Sequence, residues 1–216
     1  MSALFRHLRR LRDDRSGLAL LEFAFILPIF IVLSLTGAEV TNYIITRMRV
    51  SQMALHLADN AARLGVGSLL QAKTIREKDI NDMFVGTDLQ AGELDIFDKG
   101  RVIVTSVEPM ANPNTTGKYK MAWSRCKGLT SYTPRYKRAG MSNTTNQNGF
   151  GIDEKVKAPD DGATMFIEVY YQYTPLVKTS LSPSTTMTEV ASMMVRDRRD
   201  LTRIYNAEAV TPSTCT

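Results

Sequence analysis

Asp13-Asp14-Arg15-Ser16-Gly17-Leu18-Ala19-Leu20-Leu21-Glu22-Phe23 runs directly into Ala24-Phe25-Ile26-Leu27-Pro28-Ile29-Phe30-Ile31-Val32-Leu33. A basic, polar leader ends on Gly17 and an apolar helix begins at once. From Leu18 to Ala38 the only charge is Glu22, and about 20 such residues are what a hydrocarbon core requires. An ionised group in hydrocarbon costs several kcal/mol unless it finds a partner, so Glu22 is a candidate functional residue by default. Cutting the chain after Gly17 would create that partner, because it places a new α-ammonium on Leu18, four residues before Glu22.

The leader carries Arg6, Arg9, Arg10, Arg12 and Arg15 against Asp13 and Asp14, five cations less two anions, so it holds +3 of the chain's net +5. Clustered arginine is also a footprint for phosphate. Beside an apolar span the simpler account is the positive-inside rule, which keeps the leader in the cytoplasm and everything after the helix outside. The lipid bilayer is therefore an expected partner and nucleic acid is not. An ordinary secretory signal has a shorter apolar core and small residues at the cut. Thr36-Gly37-Ala38 fits that poorly, and no cysteine follows to make a lipoprotein anchor. A plain single-pass anchor accounts for length and orientation but leaves Glu22 and Gly17 unexplained. Pro28 removes one helical hydrogen bond and kinks or loosens the helix, which in lipid is tolerated when neighbours satisfy the freed carbonyl.

The glycine, the glutamate five residues on and the apolar run with its proline resemble the class III signal peptide of pilins and pseudopilins. Residues 9 to about 65, with R-x-x-R-S-G-L-A-L-L-E-F-A, look most like TadE/TadF-type pseudopilins of bacterial tight-adherence (Tad, type IVc) pili. The tail is similar more weakly, through Trp123-Ser124-Arg125-Cys126 and a second cysteine near the end. The resemblance implies a prepilin peptidase that cuts between Gly17 and Leu18, and an inner-membrane protein with its bulk in the periplasm that can enter the pilus. It implies as partners the major pilin, a sister pseudopilin and the membrane assembly platform. It gives Glu22, with Phe23 beside it, the N-terminal amine of its own or an adjacent subunit. It makes Pro28 a melting point for passage from bilayer to filament.

The helix is expected to continue to about residue 65, with Ser16 as a candidate N-cap and a transmembrane part over 18–38. Past Glu39, Val40, Ile44, Met48, Ser51, Leu55, Ala58 and Ala62 recur at spacings of three and four, a helical stripe, while Arg47, Arg49, Gln52, Asp59, Asn60 and Arg63 fall on other faces. Gly65 and Gly67 supply the stop. They are no phosphate loop, lacking a third glycine and a preceding strand.

Residues 66–216 read as a small α+β domain with an antiparallel sheet. Thr74 to Phe84 is expected to form one or two helical turns. Leu94–Phe97 and Arg101–Val107 flank Asp98-Lys99-Gly100 as a hairpin. Thr164–Tyr173 alternates as a strand until Pro175, with Asp160-Asp161-Gly162 as the turn before it. Thr185–Val195 fits a strand or a helix by periodicity, and its β-branched content and the need for a sheet partner favour the strand. Residues 108–163 read as one long loop, functional or mobile. Within it Tyr132, Arg135, Tyr136, Lys137 and Arg138 read first as a solvated loop with aromatic anchors and second as a basic-aromatic binding patch. Asn114-Thr115-Thr116 and Asn143-Thr144-Thr145 match the glycosylation sequon, which matters only where the transferase is present.

His7 and His56 are the only histidines, so neither a histidine metal site nor a triad is expected. No nucleotide, metalloprotease or hydrolase motif occurs. The chain reads as a non-enzyme without cofactor or metal. Cys126 and Cys215 are an even pair in an oxidising compartment and are expected to form a disulfide. The resulting expectation is a minor pilin or pseudopilin whose work is packing. Its rival is an unprocessed single-pass membrane-anchored periplasmic binding or scaffold protein.

Overall fold

The computed structural model describes residues 16–68, 71–129, 131–178 and 183–214. Leader residues 1–15, His7 among them, and Cys215 lie outside the described residues. The architecture is α+β: a long N-terminal apolar helix, then a four-stranded antiparallel sheet with shorter helices. The chain divides into two compact units. One holds the first helix as far as Tyr43 together with Pro175–Pro183, and the other holds Ile44–Thr174 and Ser184–Thr216.

Helix α1 (Ser16–Arg63) is continuous, with Pro28 inside it. Two devices fix its C-terminal end. Gly65 sits at φ 123°, where side chains are strained, and there the chain doubles back so that Val66 and Thr74 exchange backbone hydrogen bonds at 2.9 Å. The last carbonyls of a helix have no intrahelical donor. Buried Arg199 supplies one: its Nη2 donates to the carbonyls of Ala61 (3.1 Å), Ala62 (3.3 Å) and Leu64 (2.7 Å), and its Nη1 to Met165 Sδ (3.3 Å). Burial lowers the guanidinium pKa to about 10, which still leaves it charged at neutral pH.

The amphipathic half of α1 buries a different face from the one expected. Val50, Met53, Ala54, Leu57, Ala58, Ala61 and Ala62 are buried, whereas Val40, Ile44, Met48, Ser51 and Leu55 are exposed. Of the expected stripe only Ala58 and Ala62 are covered. At 3.6 residues per turn the two stripes lie roughly 110° apart on the helix. Periodicity reports both, and the alanine-rich one wins because small side chains let a helix approach its support closely.

Helix α2 (Glu77–Ala91) is longer than the turns expected there. It runs through Gly86 because Ile80, Met83, Phe84, Thr87 and Ala91 form one buried face, and Thr87 Oγ1 donates back to Met83 O at 2.9 Å. Acidic Glu77 and Asp79 lie in its first turn, where the helix dipole favours them. The expected 94–107 hairpin is not formed. Gly92–Leu94 is a 3-10 turn, Asp95 takes a left-handed conformation (φ 48°), and α3 (Ile96–Lys99) is a single helical turn. Lys99 Nζ closes that turn on Asp95 Oδ2 at 2.9 Å. Gly100 then enters the sheet at a point where any Cβ would collide with Tyr170 O and Ile96 O.

The strands are β1 (Gly100–Pro109), β2 (Tyr119–Gly128), β3 (Thr164–Gln172) and β4 (Thr186–Met194), in the order β2-β1-β3-β4. β3 lies where alternation puts it, β1 and β4 cover the stretches expected at 101–107 and 185–195, and Gly162 N donates to Pro159 O in the turn before β3. β2 overturns the single long loop expected over 108–163. A bulge between Ser106 and Val107 of β1 places Ala122 as an extra residue on β2, so inward positions switch from odd (Met121) to even (Ser124, Cys126). A strand that changes parity midway has no clean period of two.

The sheet is covered on both faces, which is why every residue of β1 is buried. On one face lie Val102, Val104, Met165, Ile167 and Val169, with Arg47 of α1 reaching Glu189 of β4 (2.8 Å) and Glu77 of α2 paired with Arg125 of β2. The other face is closed by the chain after β2, where Phe150 and Ala158 join Val107, Met121 and Phe166 in one apolar cluster with Tyr136 and Val156 against it. We expect Arg199→Ala to lower the unfolding free energy by about 2–4 kcal/mol, since three carbonyl contacts and a buried side chain are lost together. Urea titration of the detergent-solubilised chain measures this, and a midpoint unchanged from wild type would show that the contact contributes nothing.

Candidate functional site

Gly17, Leu18, Glu22, Phe23 and Pro28 all fall on α1. Leu18, Glu22 and Phe23 are exposed, and a Cβ on Gly17 would meet nothing within 4 Å. Leu18 and Glu22 are four residues apart on a continuous helix and therefore neighbours on one face, about 6 Å apart at their Cβ atoms. No residue of the apolar stretch is buried, and among the described residues α1 alone is long and apolar enough to cross a membrane. The structure therefore carries one N-terminal helix of single-pass length. Cys126, on β2, belongs to the other unit. It is buried, and its backbone N–H donates to Ser213 O at 3.0 Å.

Sequence reasoning passed over Glu39. It is only 3% exposed, although it is the first charge after the apolar run. Its Oε2 accepts the backbone N–H groups of Leu176 (2.8 Å) and Val177 (3.0 Å), which holds a segment 137 residues further on against the helix. One turn of the same region is tightened by Thr41 Oγ1 donating to Gly37 O at 2.8 Å. The sole signal available beforehand was the position of Glu39 next to Ala38; nothing local in the sequence names its partners.

One polar cluster of the larger unit gathers on a buried carboxylate. Glu168, in the middle of β3, accepts Tyr132 O–H and the backbone N–H groups of Arg135 (2.7 Å) and Tyr136 (3.2 Å). Tyr132 stacks on Tyr170 with centroids 4.0 Å apart, and Tyr136 meets Phe166 edge-on. The aromatic-anchor reading of this loop therefore holds: the two tyrosines fasten it to the sheet. Burial, with Glu168 beside it, pushes the Tyr132 hydroxyl up to about 12. His56 is exposed on α1, and among the described residues no three His, Cys, Asp or Glu side chains gather as a metal site. No family model, curated protein or solved structure matches this chain.

Burial raises the pKa of Glu168 and of Glu108 above the ordinary carboxylate value of 4.5. Both therefore hold a proton more tightly when folded. Their contribution to stability grows as pH falls through the raised folded value and is complete below 4.5. Asp197 and Asp200 run the other way. Lys73 depresses the first, Tyr205 and then Thr202 the second, so what they contribute is lost only as pH drops below 3.8. Between neutral pH and 4.5, the thermal midpoint of wild type should rise relative to that of Glu108→Gln. A wild-type midpoint that falls relative to the variant's as pH drops from neutral to 4.5 would contradict the assignment.

Proposed function

We propose that this chain is a minor pilin or pseudopilin-like subunit that helps assemble a tight-adherence-type pilus. Inserted in a bacterial inner membrane with the leader inside, it is cut after Gly17 by a prepilin peptidase, and α1 then packs beside the helices of the major pilin and a sister pseudopilin on the assembly platform. The observation that carries this reading is the uncovered apolar flank of α1. Ile44, Met48 and Leu55 are each about half exposed (50%, 55% and 52%), on a helix whose neighbouring face is already filled. A flank of this kind suits a second helix laid alongside.

Glu22 gives the packing its register. Once the leader is removed, the Leu18 ammonium and the Glu22 carboxylate close within one chain or between adjacent subunits. A charge left alone in hydrocarbon costs several kcal/mol, more than a typical helix–helix contact returns. The Cys126–Cys215 bridge belongs to the same proposal, supported by the Ser213 contact two residues before Cys215. It would close a loop of about 90 residues, worth roughly 4–5 kcal/mol by chain entropy.

The deciding measurement is the intact mass of the native protein. A mature chain starting at Leu18 is expected, while one still carrying Met1 or Ser2 favours the unprocessed membrane-anchored binding or scaffold protein. Glu22→Ala should still insert and accumulate yet fail to support piliation, and Met48→Glu should lose co-purifying pilin. Wild-type pilus number in the Glu22→Ala strain would sink the packing mechanism. For the bridge, envelope protein should resist alkylation at Cys126 and Cys215 until reduced; full labelling without reductant refutes it.

A further inference from the structure

Pro175–Val177 is fastened to α1 in an unusual way, by two of its backbone N–H groups on one buried carboxylate. That carboxylate, Glu39, stands one residue past the end of the uncharged run, and Tyr43 follows one turn later, a residue type enriched at membrane–water boundaries. The segment belongs to the same compact unit as α1. Its side chains do not bury with it: Leu176 is 68% exposed, and Lys178 is exposed beside a half-buried Val177. Among the described residues of this unit, none covers the exposed Leu176.

We infer that residues 175–178 form a membrane-surface hook, with Leu176 seated in the acyl–headgroup boundary of the bilayer that α1 crosses. This rests on the membrane-spanning reading of α1 given above. The chemistry of the anchor favours lipid as the occupant. Backbone N–H groups entering a low-dielectric boundary must be satisfied internally, and Glu39 satisfies two adjacent ones while losing its own exposure. A leucine buried at the boundary with a lysine at headgroup level is the arrangement that interfacial segments use. The hook fixes how far α1 rises from the bilayer, because Glu39 cannot move inward without dragging the segment with it.

The chain has a single tryptophan, Trp123, so Trp123→Phe combined with Leu176→Trp gives one reporter. The full chain is reconstituted into phosphatidylcholine vesicles with and without lipid brominated near the headgroup end of its acyl chains, and flotation is scored in parallel. Floating protein should emit blue-shifted light that brominated lipid quenches about twofold or more, consistent with shallow insertion. Adding Glu39→Ala should abolish the quenching while flotation persists, and Glu39→Gln, which keeps an acceptor oxygen, should retain it. Floating protein with water-like, unquenched emission overturns the hook and leaves the membrane-crossing helix standing. Blue-shifted emission that brominated lipid does not quench means a protein contact and overturns it too, as does quenching that survives Glu39→Ala. Failure to float with α1 intact removes the membrane reading and the hook together.

Discussion

The guanidinium of Arg199 at the end of α1 is the contact on which the larger unit depends. The C-terminal end of α1 carries carbonyls with no helical donor. One buried cation satisfies three of them and touches Met165 in β3 with its other amino group. The residue arrives from the segment that follows β4. The end of the helix, a central strand and the chain's last stretch therefore meet at a single side chain. Alanines at 54, 58, 61 and 62 keep that meeting close.

Buried carboxylates repeat the pattern elsewhere. Glu39 takes the N–H groups of Leu176 and Val177, Glu77 takes the guanidinium of Arg125, and Glu168 takes Tyr132 with the two N–H groups of 135 and 136. Each compensates desolvation with several donors, as a buried charge must. Each also ties down a segment distant in sequence.

Much of this was readable from residue order. The apolar run ending in glycine-rich chain after Leu64, the alternation of Thr164–Tyr173 and the β-branched stretch at 185–195 each carry a local signal strong enough to survive tertiary context. The failures are equally physical. β2 was missed because the bulge at Ala122 reverses its parity, and the supposed strand at 94–97 became a turn and a single helical turn because Asp95 accepts a left-handed conformation. The wrong stripe of α1 was chosen because two apolar stripes share the helix and only the fold decides between them. Glu22, Gly17 and Pro28 were conspicuous through their register, whereas Glu39 was invisible, since its partners lie beyond any local window.

The tail after β4 threads back across the start of the domain. Arg198 O accepts from Lys73, Tyr205 and Ile75 pair at 2.8 Å, Asn81 holds Thr211 and Ser213, and Ser213 O receives the N–H of Cys126. Contacts of such long sequence separation form late, because loop closure must precede them. The domain can complete its hydrogen bonding only once its final residues have been synthesised, by which time α1 has long since emerged. Residues 198–213 must therefore be in place before the hydrogen bonding of Lys73, Ile75, Asn81 and Cys126 is complete.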